Sequence, residues 1–185
     1  MMRPGLVACS AAALLLSACG ASRVVSDTPS SAYSPLEFSV AGSGRDLRTE
    51  VVGNPFGGDK ASFDKSVTDL MQDQYFGPTT HFTTTPDDGA NRLYKVVMVF
   101  NPTETLLGSE ICAGRRIATD DRPGQPIRLR AAFCRGGALT STSGYAPALT
   151  SPEDPTFRTL VADATFSLFP IRDPNHSDNC RMPNC

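Results

Sequence analysis

Few residues in this chain are placed to do chemistry. Ser62-Phe63-Asp64-Lys65 sets a hydroxyl and an amine three positions apart. On a helix that is one turn, close enough for the amine to take the hydroxyl proton and create a nucleophile. Neither an S-D-N nor a K-T-G partner motif accompanies it, and a solvated helix start accounts for the pattern. The two histidines, His81 and His176, fall in loop or tail segments, which leaves a Ser-His-Asp triad without a well-held base. His176, Asp178, Cys180 and Cys185 crowd the C-terminus. Their donors suit zinc, but the spacing matches no zinc pattern and a disulfide competes for the thiols. Pro86-Asp87-Asp88-Gly89 lacks the alternating oxygen ligands of a calcium loop and reads as a turn. No catalytic residue, metal ligand or cofactor is therefore expected.

One charged feature stands apart. Arg115, Arg116, Arg128, Arg130 and Arg135 lie close together in sequence. If several share an open sheet face, guanidinium groups there can take phosphate or carboxylate in bidentate fashion. The alternative is a solvated strand face whose charges serve solubility. The chain as a whole carries a formal net charge of −2, which argues against nucleic acid as a partner.

The N-terminus is the most specific segment. Arg3 gives a short positive region, and Leu6 to Leu16 a short apolar one. Ser17 and Ala18 are the small residues expected ahead of a cleavage point. The apolar stretch falls short of the roughly 20 residues a membrane-spanning helix needs. Leu16-Ser17-Ala18-Cys19 resembles the lipobox of bacterial prolipoproteins. The resemblance implies cleavage before Cys19, a diacylglyceryl group on its thiol, and acylation of the new amino terminus. Multiple acyl chains hold a protein to a bilayer stably, where a single chain does not. Gly20 follows the cysteine where that family uses Asp to retain proteins in the inner membrane, so the resemblance implies the outer membrane, facing the periplasm.

This reading reduces the cysteine count. Of the six, Cys9 leaves with residues 1–18 and Cys19 carries lipid. Cys112, Cys134, Cys180 and Cys185 remain, an even number in an exported chain, which suggests disulfides. The local pairings Cys112–Cys134 and Cys180–Cys185 are favoured. The first closes a loop of about 23 residues and contributes about 3 kcal/mol in the chain-entropy view.

The elements that must position these residues follow from patterning. Residues 19–34 are small, polar and Pro-containing, and read as the lipidated cysteine and a flexible tether. Leu36 to Val40 alternates as a strand, and Asp46 to Val52 as a second, with Gly42 to Gly44 turning between them. Asp59 caps a helix whose stripe is Phe63, Val67, Leu70 and Met71, ending near Gln74. Residues 78–91 are loop or edge structure. Tyr94 to Phe100 is nearly all apolar and reads as a central strand covered on both faces. After a long excursion, Arg116 to Thr119 is a short strand. From Ile127 the alternation is clean, with Ile127, Leu129, Ala131 and Phe133 opposite Arg128 and Arg130. Gly136-Gly137 turns the chain into a return strand from Ala138 to Tyr145. Asp154-Pro155 starts the last helix, with stripe Phe157, Leu160, Val161, Ala164 and Leu168, and Pro170 stops it. Residues 171–185 are a polar tail.

The expected fold is α+β: one two-layer domain over 35–170, with a mostly antiparallel sheet of five or six strands and two helices packed on one face. The element order is β-β-α-β-β-β-β-α, and the Arg128/Arg130 side of the sheet is partly open. The function this favours is a membrane-anchored, non-enzymatic binding or accessory module of the cell envelope that docks another envelope component. A periplasmic hydrolase built on Ser62 and Lys65, or an anionic-ligand module built on the arginine face, are the alternatives.

Overall fold

The computed structural model describes residues 22–172. The chain runs β1 (Arg23–Ser26), α1 (Pro35–Gly42), β2 (Asp46–Val52), α2 (Lys60–Met71), β3 (His81–Thr83), β4 (Tyr94–Phe100), α3 (Gly108–Cys112), β5 (Pro126–Arg135), β6 (Gly137–Ala148) and α4 (Pro155–Leu168). The six strands form one sheet in the order β1-β6-β5-β4-β2-β3. β6 pairs antiparallel with both β1 and β5, and β5 with β4. β2 lies parallel to β4 on one side and to β3 on the other. The domain is α+β with a single mixed sheet.

β4 explains the layering. Its side chains are buried on both faces: Tyr94, Val96, Met98 and Phe100 join one apolar cluster, and Val97 and Val99 another. The larger cluster lies under α1, α2 and α4. Phe63, Val67 and Met71 enter it from α2, and Phe157, Leu160, Val161, Ala164 and Leu168 from α4. Both helix stripes thus fall where the 3.6-residue period puts them. Asp59 and Asp154 cap the two helices, accepting from the Ser62 and Thr156 amides. Eight of the ten phenylalanines line this core. Phe38 stacks on Phe169 at 4.0 Å and meets Phe133 and Tyr75 edge-on, while Phe63, Phe100 and Phe157 form a second group. Such contacts stabilise beyond the area they bury.

The second cluster is smaller. α3 lies over Val97, Val99 and Ala132 and contributes Ile111 and Cys112. A Cβ on Gly108 would approach Ser141 Oγ to 2.6 Å, so only glycine lets this helix sit so close to β6. At β2's exit, Gly53 has φ +80°, and a Cβ there would meet the Phe100 carbonyl at 2.5 Å.

Several expected elements differ. Leu36 to Val40 is not a strand but lies in α1. Pro35 occupies its first turn behind an extended Ser34, a favoured helix entry. Leu36 and Val40 are 69% and 46% exposed, whereas Phe38 and Ala41 are buried. The buried pair is spaced three apart, as a helix requires. There is accordingly no hairpin into β2, which finds parallel partners instead. Arg116 to Thr119 makes only the single bridge Pro102↔Thr119, and the excursion before it contains α3. The segment read as tether is largely part of the domain. Residues 23–26 add a strand to β6, and the chain continues beside it through Asp27 N–H to Ser141 O and Ser30 N–H to Leu139 O. Tyr33 is buried, and its hydroxyl donates to the Pro170 carbonyl at 2.7 Å.

These assignments separate in a stability measurement. Phe38→Ala is expected to cost about 3–5 kcal/mol and Leu36→Ala less than about 0.5 kcal/mol in chemical denaturation. Comparable losses at both positions would restore the strand, in which the two side chains share one buried face.

Candidate functional site

Among the described residues, the sheet face opposite α1, α2 and α4 is covered by a helix only toward the Cys134 end, where α3 sits. Toward the Pro126 end it is open, and cross-strand register decides what stands there. Arg128 of β5 lies opposite Tyr145 of β6, which lies opposite Arg23 of β1. One pair inward, Arg130 lies opposite Ser143, and Ser143 opposite Val25. Directly paired residues point to the same side of a sheet, so the rows Arg23-Tyr145-Arg128 and Val25-Ser143-Arg130 share this surface. Arg23, Val25, Arg128 and Tyr145 are all exposed.

The two β5 arginines differ in freedom. Arg130 is nearly buried; its Nη2 donates to Asp27 Oδ2 at 2.8 Å and its Nη1 to Ser143 Oγ. Ser141 Oγ donates to the same Asp27 oxygen at 2.5 Å. Burial pushes the Asp27 carboxyl up, but the Arg130 and Ser141 bonds outweigh it and hold the group below its ordinary range. Nε of Arg130 has no hydrogen-bond partner among the described residues. Among the same residues, Arg128 donates through its guanidinium to the Pro102 carbonyl alone, at 3.1 Å. Its backbone is fixed by Asn101, whose side chain accepts from Arg128 N–H at 2.7 Å while its own backbone sits at φ 46°. Beside these arginines lies a shallow cavity of about 210 Å³ lined by Pro102, Glu104, Thr105, Arg128, Arg130 and Ser143.

The other three expected arginines lie elsewhere. Arg115 pairs with Glu104 and Glu110 at 3.0 and 3.3 Å, and exposed Arg116 lies beyond α3. Arg135, at the far end of β5, reaches Glu37 of α1 at 2.6 Å, and the same carboxylate accepts from Tyr94 Oη. Arg23, which joins Arg128 on the face, fell within the expected tether. Its signal is the β-branched Val24-Val25 pair that follows it.

The remaining candidates are engaged locally. Lys65 Nζ bonds both Asp69 oxygens at 2.6 and 2.9 Å on the exposed side of α2. His81 Nδ1 lies 2.7 Å from Asp46 Oδ1 on the sheet edge, and that bond lowers the Asp46 pKa. Asp87 accepts from Gly89 N–H at 2.9 Å, the turn expected there. Among the described residues no group of three or more His, Cys, Asp or Glu side chains is placed to hold a metal, and no helix is long and apolar enough to cross a membrane. Cys19, His176, Cys180 and Cys185 lie outside the described residues. Cys112 and Cys134 form the expected disulfide, with Cα atoms 5.6 Å apart, tying α3 to β5.

No family model matches the chain, and no curated protein does. Among solved structures it is similar to the PelC dodecamer from Paraburkholderia phytofirmans in space group P6, with TM-score 0.45 and 9% identity over 80% of this chain and 97% of that one. A point variant of the same dodecamer, in space group C2, gives the same values. Similarity at this level bears on neither family nor function.

Two measurements check this geometry. Replacing Cys112 and Cys134 together by Ser is expected to lower unfolding free energy by about 3 kcal/mol; an unchanged denaturation midpoint would mean the crosslink constrains nothing. The Asp27 carboxyl, with its folded pKa below the ordinary 3.8, contributes stability above that value and loses it as pH falls through the folded one. Asp27→Asn should therefore be less stable than the parent at neutral pH, with the difference closing below about pH 4. A difference that widens on acidification would contradict the pairing.

Proposed function

We propose that this chain is a lipid-anchored lipoprotein of the bacterial cell envelope, held on the periplasmic side of the outer membrane, where it serves as a non-enzymatic binding or accessory module. The observation that carries the reading is the Leu16-Ser17-Ala18-Cys19 sequence placed just ahead of a folded domain whose first strand begins at Arg23. The Cys112–Cys134 disulfide supports an oxidising compartment.

A role in binding is supported by two surfaces at opposite ends of the sheet. Arg23 and Tyr145 stand near the end of β6 that finishes at Ala148. Near its Gly137 end, exposed Phe76 and Phe166 meet at 5.5 Å, and exposed Ile171 borders a groove with Tyr33, Phe76 and Phe169. Exposed aromatic side chains grouped in this way are common where a partner docks. The binding reading is favoured over the hydrolase alternative because Lys65 sits on the solvent side of α2, paired with Asp69, rather than in an enclosed site.

Mass spectrometry of the mature N-terminus tests the anchor. The expected species begins at Cys19 and carries the mass of a diacylglyceryl group, and Cys19→Ala is expected to shift the protein out of the membrane fraction. An unmodified terminus beyond Cys19 would end the proposal. For the binding role, Ser62→Ala should keep every phenotype, and site-specific crosslinking from Phe76 should trap one discrete envelope partner. A phenotype lost with Ser62→Ala, or a strictly solitary protein, would count against it.

A further inference from the structure

We propose that the open face formed by β5, β6 and β1 docks on the anionic headgroups of the bilayer that holds the Cys19 lipid. The inference rests on the lipoprotein reading and adds an orientation and a second contact to it. Only four residue steps separate Cys19 from Arg23. Fully extended, they span at most about 14 Å. Lipid on Cys19 would therefore keep β1 within about two screening lengths of the headgroups at physiological salt.

The charges on that side select which surface turns to the membrane. On the open face, Arg23 and Arg128 have no carboxylate partner among the described residues. The two acids nearby are already taken: Asp27 by Arg130 and Glu104 by Arg115. The loops at the adjoining end of the sheet carry Asp120, which Arg122 neutralises, together with Asp121, Glu153 and Asp154, an acidic excess that anionic lipid repels. The electrostatically favoured pose lays the face, not the end, against the bilayer.

The uncharged side chains fit the same contact. Tyr145 stands between Arg23 and Arg128 and is 47% exposed, and Val25 beside it is 66% exposed. An aromatic ring with a hydroxyl belongs at the boundary between headgroups and acyl chains. The cavity beside Arg128, about 210 Å³, has room for one phosphodiester, with Glu104 on its lining held by Arg115, and a guanidinium offers the phosphate a planar pair of donors.

The test uses the whole mature chain with Cys19→Ala, so that no acyl group contributes, and sedimentation with vesicles of phosphatidylcholine alone or mixed with phosphatidylglycerol. Binding is expected only to the mixed vesicles, falling as salt rises. In Arg23→Glu with Arg128→Glu it should fall on the order of tenfold or more, with the urea midpoint unchanged. Arg116→Glu with Arg122→Glu, the same charge change off this face, should leave it intact. Inorganic phosphate at matched ionic strength should not compete; competition would assign the site to free phosphate. Equal binding to both vesicle types, no binding to either, or equal loss in the two double variants would overturn the proposal. None of these outcomes touches the anchor, which the mass of the natural terminus reports separately.

Discussion

The structure depends on β4 being shut away from water on both sides. A strand with Tyr94, Val96, Met98 and Phe100 on one face and Val97 and Val99 on the other cannot sit at an edge or under a single layer. On one side the requirement is met generously by α1, α2 and α4 with their aromatic side chains. On the other it is met by α3, which has only five residues. So short a helix has little stability of its own. A buried disulfide to β5 and a glycine at the point of closest approach hold it down. The oxidation of Cys112 and Cys134 is thus part of how the central strand stays dry.

What could be read in the sequence tracks the length of the repeating pattern. α2 and α4 repeat their stripe over several turns and carry Asp caps, and β5 alternates from Pro126 to Ala131 with a glycine-rich turn behind the strand. Five residues from Leu36 to Val40 alternate with a two-residue period, and the helical pair Phe38 and Ala41 reaches beyond them. There Pro35 at the helix entry decides, and only the burial of Ala41 beside Phe38 makes it visible. The parallel pairings of β2 were not legible. Their partners lie beyond intervening helices, and nothing in Asp46 to Val52 distinguishes a parallel neighbour from an antiparallel one.

The candidate face was half legible for the same reason. Alternation in β5 put Arg128 and Arg130 together, and register confirms it. The grouping of Arg115, Arg116 and Arg135 with them came from nearness in sequence, which the fold does not keep. Arg23 was hidden because a strand of four mixed residues just after the lipobox-like sequence has the composition of a spacer. Its place is set by Tyr145, more than a hundred positions away. The partner that neutralises Arg130, Asp27, was hidden for the same reason.

That distance between β1 and β6 bears on how the protein is made. The first strand closes on residues 142–145, and Tyr33 closes on Pro170. Neither contact can form until nearly the whole domain has left the ribosome. Contacts this remote in sequence are slow to assemble, because loop closure is costly before they form. A nascent chain of this design completes its sheet only late in synthesis, and under the lipoprotein proposal that delay would keep it fit for threading through a narrow translocation channel. Folding would then follow on the far side, where Cys112 and Cys134 can be oxidised.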